Sequence, residues 1–195
     1  VFLEKPMVTT FEQYERMSKF LNDNPQVPFC VDFNRSFAPF MQKIKWELVH
    51  RSSPVLIQYR MNAGYIPGDH WTQTELGAGR VIGEACHIFD LFCFLTGAQP
   101  AAVSVESLKP SKDDVFPTDN FSAQISFTDG SVCTLLYTAL GHSALGKERM
   151  EVFFDGKSIV MDDYKVLQGF GLSHSFNEST RYPDKGHETL LHAFF

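Results

Sequence analysis

The sequence has no apolar run approaching ~18 residues, so no transmembrane helix is expected. It also has no block of lysine or arginine, and its net charge is −6, which argues against nucleic acid or an anionic membrane as partner. The first residues, Val1-Phe2-Leu3-Glu4-Lys5-Pro6, lack the basic-then-apolar order of a signal peptide. Cysteine is scarce: Cys30, Cys86, Cys93 and Cys133, with no C-x-x-C pair. Cys86 and Cys93 share one predicted helix at roughly 10 Å along its axis, too far apart for a disulfide. A disulfide framework and a zinc knuckle are therefore poor readings, and free thiols in a reducing cytoplasm are expected. His70, Glu84, His87 and Asp90 are metal-ligand types, but no H-E-x-x-H or H-x-x-x-H spacing joins them, so no metal is assigned. No G-x-S-x-G elbow, internal repeat or low-complexity tract occurs.

What is present is ordinary globular composition, 44% apolar and 21% charged over 195 residues, enough for one domain with a real core. Nineteen phenylalanines point to an aromatic-rich core or interface. The chain opens on the end of an apolar strand at residues 1–3. A helix follows to about Leu21, started by Thr10 with Gln13 three residues on. Val27 to Phe33 reads as a second strand. Strand–helix–strand is the form of a parallel crossover, which cannot bury both faces of its strands alone. Residues 1–33 are thus expected to be the end of a larger unit.

A helix is predicted from about Ser36 to Arg51 and a strand from Val55 to Met61. A long Gly-, Asn- and aromatic-rich loop covers 62–79, and loops of that length are usually functional. From Pro100 the period becomes two. The strand 102–106 and the hairpins turning at Asp129-Gly130 and Asp155-Gly156 read as an antiparallel meander. Residues 169–186 read as a loop, and Gly186 to Phe195 as a helix that ends uncapped. The fold class is α+β: a largely antiparallel sheet over about 54–168, open on one face, with helices on the other.

The most informative segment is the helix from about Gly79 to Leu95. At 3.6 residues per turn Arg80, Glu84 and His87 fall on nearly one line of an otherwise apolar helix. Polar burial needs compensation, so this line is the candidate active site. Tyr59, Arg60, Asn62, His70 and Trp71 form a polar-aromatic group just before it, suited either to a sugar ring or to anchoring the loop.

Glu4-Lys5-Pro6 closing a strand, Phe33-Asn34-Arg35-Ser36-Phe37-Ala38-Pro39 following the next, and the glycine-opened helix with His87 and Asp90 together resemble one family. It is the glucose–fructose oxidoreductase/inositol dehydrogenase (Gfo/Idh/MocA) family of NAD(P)-dependent sugar dehydrogenases. The resemblance covers nearly the whole chain. It implies that residues 1–34 are the tail of a dinucleotide-binding Rossmann domain and 35–195 the substrate and oligomerisation domain. The family's G-x-G-x-x-G turn is absent, so an N-terminally truncated protein is expected. NAD or NADP would then serve the full-length protein and no cofactor this fragment, which alone should be inactive.

The resemblance further implies that Lys5 and His87 handle the hydroxyl proton, and that Glu4, Lys5 and Pro6 border the cofactor. Arg35, Asn62, Trp71, Arg80, Glu84 and Asp90 would bind or orient a sugar or nucleotide-sugar substrate. One departure stands out: the family places aspartate four residues before its histidine, where this chain has Gly83. Glu84 either takes over by orienting His87 or pairs with Arg80. Asp90 either orients His87 or caps a neighbouring loop. Arg35 either meets substrate or forms a salt bridge, and Lys185 and His187 read as a surface helix start. A cytoplasmic homo-oligomer joined through the open sheet face is expected. The alternative reading is a non-catalytic assembly or binding domain that kept the fold.

Overall fold

The computed structural model describes residues 1–109 and 116–195. Strands β1 (Phe2–Leu3) and β2 (Cys30–Val31) pair in parallel, Phe2 beside Cys30, across helix α1 (Phe11–Asp23). The predicted start of α1 is present as a capping box between Thr10 and Gln13. Helix α1 buries none of its residues, and Phe11, Tyr14 and Phe20 remain exposed. The apolar side of this unit opens on a cleft of about 680 Å³ lined by Leu3, Met7, Met17, Phe20 and Phe29.

The predicted helix from Ser36 is split. A 3-10 turn, Asn34–Phe37, precedes helix α2 (Pro39–Val49), and Ala38 between them is extended, at φ −63° and ψ 136°. Proline disfavours the helical region for the residue before it, while itself fitting the first helical position.

The main sheet holds β3 (Leu56–Asn62), β4 (Pro100–Ser107), β5 (Phe121–Phe127), β6 (Val132–Thr138), β7 (Glu148–Phe154), β8 (Lys157–Asp162), β9 (Val166–Phe170) and β10 (Glu178–Ser179). Their spatial order is β10-β9-β8-β7-β3-β6-β5-β4. The sheet is mostly antiparallel, as the period-two pattern predicts, but it is no simple meander. β3 lies between β6 and β7, parallel to β6 with Tyr59 beside Leu135 and antiparallel to β7. Alternation reports which face a residue occupies and says nothing of which strand lies beside it. A second correction concerns residues 169–186, where β9 ends and β10 stands instead of plain loop. Gly169 belongs to a strand because the turn after it folds back closely. A Cβ there would lie 2.6 Å from the Phe176 ring.

One sheet face carries α2 and α3 (Cys86–Thr96). The core between them includes Ile44, Leu48, Ile57, Met61, Ile88, Leu91, Phe92, Leu95, Leu135 and Val152, all essentially inaccessible. The other face leaves Leu56, Leu136 and Phe153 exposed. α3 ends as predicted at Gly97, whose φ of +70° suits glycine. The final helix α4 (His187–Phe194) docks through Leu190 and through Gly186, which has φ +84°. A Cβ on Gly186 would lie 2.4 Å from the Ala38 nitrogen. Among the described residues no helix is long and apolar enough to cross a membrane.

Candidate active site

The predicted polar line on the Gly79–Leu95 segment divides into two clusters. Val81–Ala85 forms a π-helical turn before α3 begins. The inserted residue rotates the rest of the helix by roughly 100° relative to a continuous α-helix. Arg80 and Glu84, four apart, still meet each other, while His87 turns toward Phe33 and the 34–37 segment that follows it.

In the first cluster Arg80 is nearly saturated. Its Nε donates to the Tyr137 hydroxyl at 2.7 Å, and its two amino groups to Gly64 O at 2.5 Å, Ala63 O at 3.1 Å and Glu84 Oε2 at 2.9 Å. Glu84 also accepts from the Tyr137 hydroxyl and from Lys147 Nζ at 2.6 Å. Against the penalty of burial, the Lys147 charge and the bonds from Lys147, Tyr137 and Arg80 hold the Glu84 pKa down at about 2. Of the two alternatives for Glu84, the pairing with Arg80 is the one present. The pair fastens the 63–64 segment to the π turn and supplies His87 with no hydrogen bond.

In the second cluster Lys5, at the end of β1, donates to Gly83 O at 2.5 Å. This brings Lys5 against the turn that leads into His87. His87 is buried with its Nδ1 unpartnered among the described residues, and its ring meets Phe33 edge-on at 6.0 Å. Burial, then the charges of Arg35 and Lys5, lower its pKa to about 3, so its imidazole is neutral across the physiological range.

Arg35 does not stand free for a ligand. Its Nε and one amino group form a two-pronged pair with Glu148 at 2.9 and 3.0 Å. Glu148 is wholly inaccessible and also accepts from the Tyr59 hydroxyl and from Lys185 Nζ at 2.5 Å. Against burial, Arg35 and then Lys185 hold the Glu148 pKa at about 2. Lys185 is thus no bare surface residue. Its carbonyl takes the Asn34 side-chain amide at 2.8 Å, and the same amide lies 3.1 Å from His187 Nε2. Glu148 is the residue that sequence reasoning missed. It stands between Lys147 and Arg149 in the sequence, and its burial shows only in the structure, where it opens β7.

The remaining candidates are dispersed. Asp90 is half-buried, and burial raises its pKa to about 6; it has no hydrogen-bond or ion-pair partner among the described residues. Asn62 is buried and ties down the 141–147 loop by donating to His142 O at 2.9 Å and Leu145 O at 3.1 Å. Trp71 stands exposed beside His70. The loop it sits on is fastened instead by Gln73, which donates to Asp119 Oδ2 at 2.6 Å. Gly83 has a packing reason of its own. A Cβ there would lie 3.1 Å from both Gly77 O and Thr72 Cγ2, so the 72–77 loop occupies the space an aspartate would need. Among the described residues no three His, Cys, Asp or Glu side chains converge as a metal-ligating group.

Residues 53–160 match the family profile described as GFO/IDH/MocA C-terminal domain. No curated protein matches the chain. Among solved structures, levoglucosan dehydrogenase in complex with NADH aligns over 99% of this chain and 62% of its own, at TM-score 0.73 and 20% identity. An NAD binding oxidoreductase from Klebsiella pneumoniae aligns over 92% of this chain and 53% of its own, at TM-score 0.74 and 18% identity. UDP-N-acetylglucosamine 3-dehydrogenase from Acidithiobacillus ferrooxidans aligns over 97% of this chain and 59% of its own, at TM-score 0.71 and 17% identity. The chain thus spans between half and two thirds of the length of these structures, and the likeness is one of fold.

Proposed function

Because this chain belongs to the GFO/IDH/MocA family through its C-terminal domain, we propose that it is the substrate-side part of an NAD(P)-dependent oxidoreductase. The substrate would be a secondary alcohol of a sugar or nucleotide-sugar. The observation that carries this reading is the meeting of Lys5 with the turn before His87, across 78 positions of sequence, through the Lys5–Gly83 hydrogen bond.

Hydride transfer from an alcohol needs a group to take the hydroxyl proton and groups to hold the hydroxyl still. His87 is held neutral, so it presents ring nitrogens for a hydrogen bond rather than a positive charge. The Lys5 ammonium spends one donor on Gly83 O and has two more for a substrate oxygen. Arg35, whose charge acts on His87, is a fixed cation neutralised by Glu148, a positioning residue rather than a ligand contact. Lys5 stands at the carboxyl end of a parallel strand, where open α/β sheets receive their ligands, which fits a nicotinamide bordered by Glu4, Lys5 and Pro6. When bound, NAD or NADP would supply the hydride acceptor. The exposed Leu56, Leu136 and Phe153 support a homo-oligomer through the open sheet face. A cytoplasmic location belongs to the same reading.

The reading is tested on a protein that carries this chain behind a complete dinucleotide-binding domain, incubated with NAD⁺ or NADP⁺ and a panel of free and nucleotide-linked sugars, following nicotinamide absorbance. Reduction with at least one sugar is expected. No reduction with any of them favours the second reading, a non-catalytic binding domain. Gly83 in the aspartate position supports that second reading.

A further inference from the structure

The π-turn site shares a wall with a second cleft. Glu84, the residue after the Lys5 contact, accepts from Lys147 Nζ at 2.6 Å. Lys147 in turn lines a cleft of about 580 Å³ at the carboxyl ends of β3 and β6, together with Asn62, Tyr65, Ser143, Asp163 and Lys165. Its size is that of a small-molecule site.

The cleft is built rather than left over from poor packing. Asn62 holds the 141–147 loop through two carbonyls, and Arg60 donates to Gly146 O at 3.0 Å. Gly141 is obligatory, since a Cβ there would lie 2.0 Å from Asn62 Oδ1.

The charged groups are arranged asymmetrically. The carboxylates of Glu84 and Asp163 are drawn into the protein, with side chains 19% and 23% exposed. Glu84 is filled by Arg80, Tyr137 and Lys147, and Asp163 by Lys165 at 3.1 Å and the Glu148 amide at 3.4 Å. The lysine side chains are more open, 41% exposed for Lys147 and 45% for Lys165. Each spends one of three donors on its carboxylate. Among the charged side chains that line this cleft the two lysines are the most exposed, beside an exposed Tyr65 ring.

We propose that this cleft binds an anionic oxygen group, carboxylate or phosphate, carried by the sugar substrate. The proposal rests on the oxidoreductase reading and narrows its substrate class to acidic or phosphate-bearing sugars.

Binding is measured calorimetrically on the full chain with three probes: glucuronate, glucose 1-phosphate and glucose. At least one anionic probe should bind 10-fold or more tightly than glucose, and which one does so identifies the group. Lys165→Met should weaken that probe 10-fold or more and leave glucose unchanged, and Lys165→Arg should restore it. The proposal is overturned if glucose binds as tightly as both anions, if Lys165→Met weakens all three alike, or if none binds at millimolar concentration. Selective anion binding without nicotinamide reduction would instead count against the oxidoreductase reading alone.

Discussion

Replacing Glu148 with alanine tests whether the Arg35 network is structural. Glu148 is wholly buried and answers Arg35, Lys185 and Tyr59, while the Arg35 side chain is only 7% exposed. Removing the carboxylate strands a buried guanidinium, which costs about 3–5 kcal/mol. At about 2–4 °C per kcal/mol for a chain of this size, the melting temperature should fall by roughly 6–20 °C. The triple variant Arg35→Met, Tyr59→Phe, Glu148→Leu removes all the buried polar partners together and leaves Lys185 free to turn to water. It should recover most of that loss. Urea and thermal melts of the three proteins decide the matter. A single variant within about 1 kcal/mol of wild type, or a triple variant no better than the single, would show that the buried pair does not hold the fold. The pH dependence gives a second handle. The Glu148 pKa of about 2 lies below its ordinary 4.5, so its contribution is complete above 4.5 and is lost as pH falls toward 2. The Glu148→Ala variant should therefore show a shallower acid limb than wild type.

Asp90 has the opposite sign. Its pKa is raised to about 6 by burial, so the native state is penalised above that pH and not below 3.8. Asp90→Asn should stabilise the protein by about 1–3 kcal/mol at pH 7, with the gain vanishing near pH 4; equal melts at pH 7 would contradict this. Gly186→Ala combines φ +84° with a Cβ 2.4 Å from the Ala38 nitrogen. It should cost ~2 kcal/mol or more and speed amide exchange across α4. Gly83→Asp should cost about 1–3 kcal/mol, because the 72–77 loop must give way; an unchanged melt would show that the loop yields freely.

Local signals were the most legible part of the fold. The Thr10/Gln13 box, the two Asp-Gly hairpins and the Gly97 stop each depend on neighbours within a few positions, and each stands where the sequence puts it. Long-range placement was not legible. Nothing in the alternation of residues 56–62 tells that β3 separates β6 from β7. Gly169 looks like a loop former until Phe176 folds onto it. The site divides in the same way. That Arg80, Glu84 and His87 are close in the chain was plain. The π turn that parts His87 from the other two is packed against the 72–77 loop and contacted by Lys5, both outside the helix. Glu148 was hidden because burial, rather than residue type, makes it the hub.

Whether Lys5 and His87 form one wall of a sugar-oxidising site is decided by steady-state turnover of Lys5→Met and His87→Gln. Both are measured in a protein that carries this chain behind a complete dinucleotide-binding domain, with nicotinamide cofactor, alongside thermal melts. The kcat should fall by about 10²-fold or more in each variant while the fold stays intact. Undiminished turnover in either variant would contradict that role.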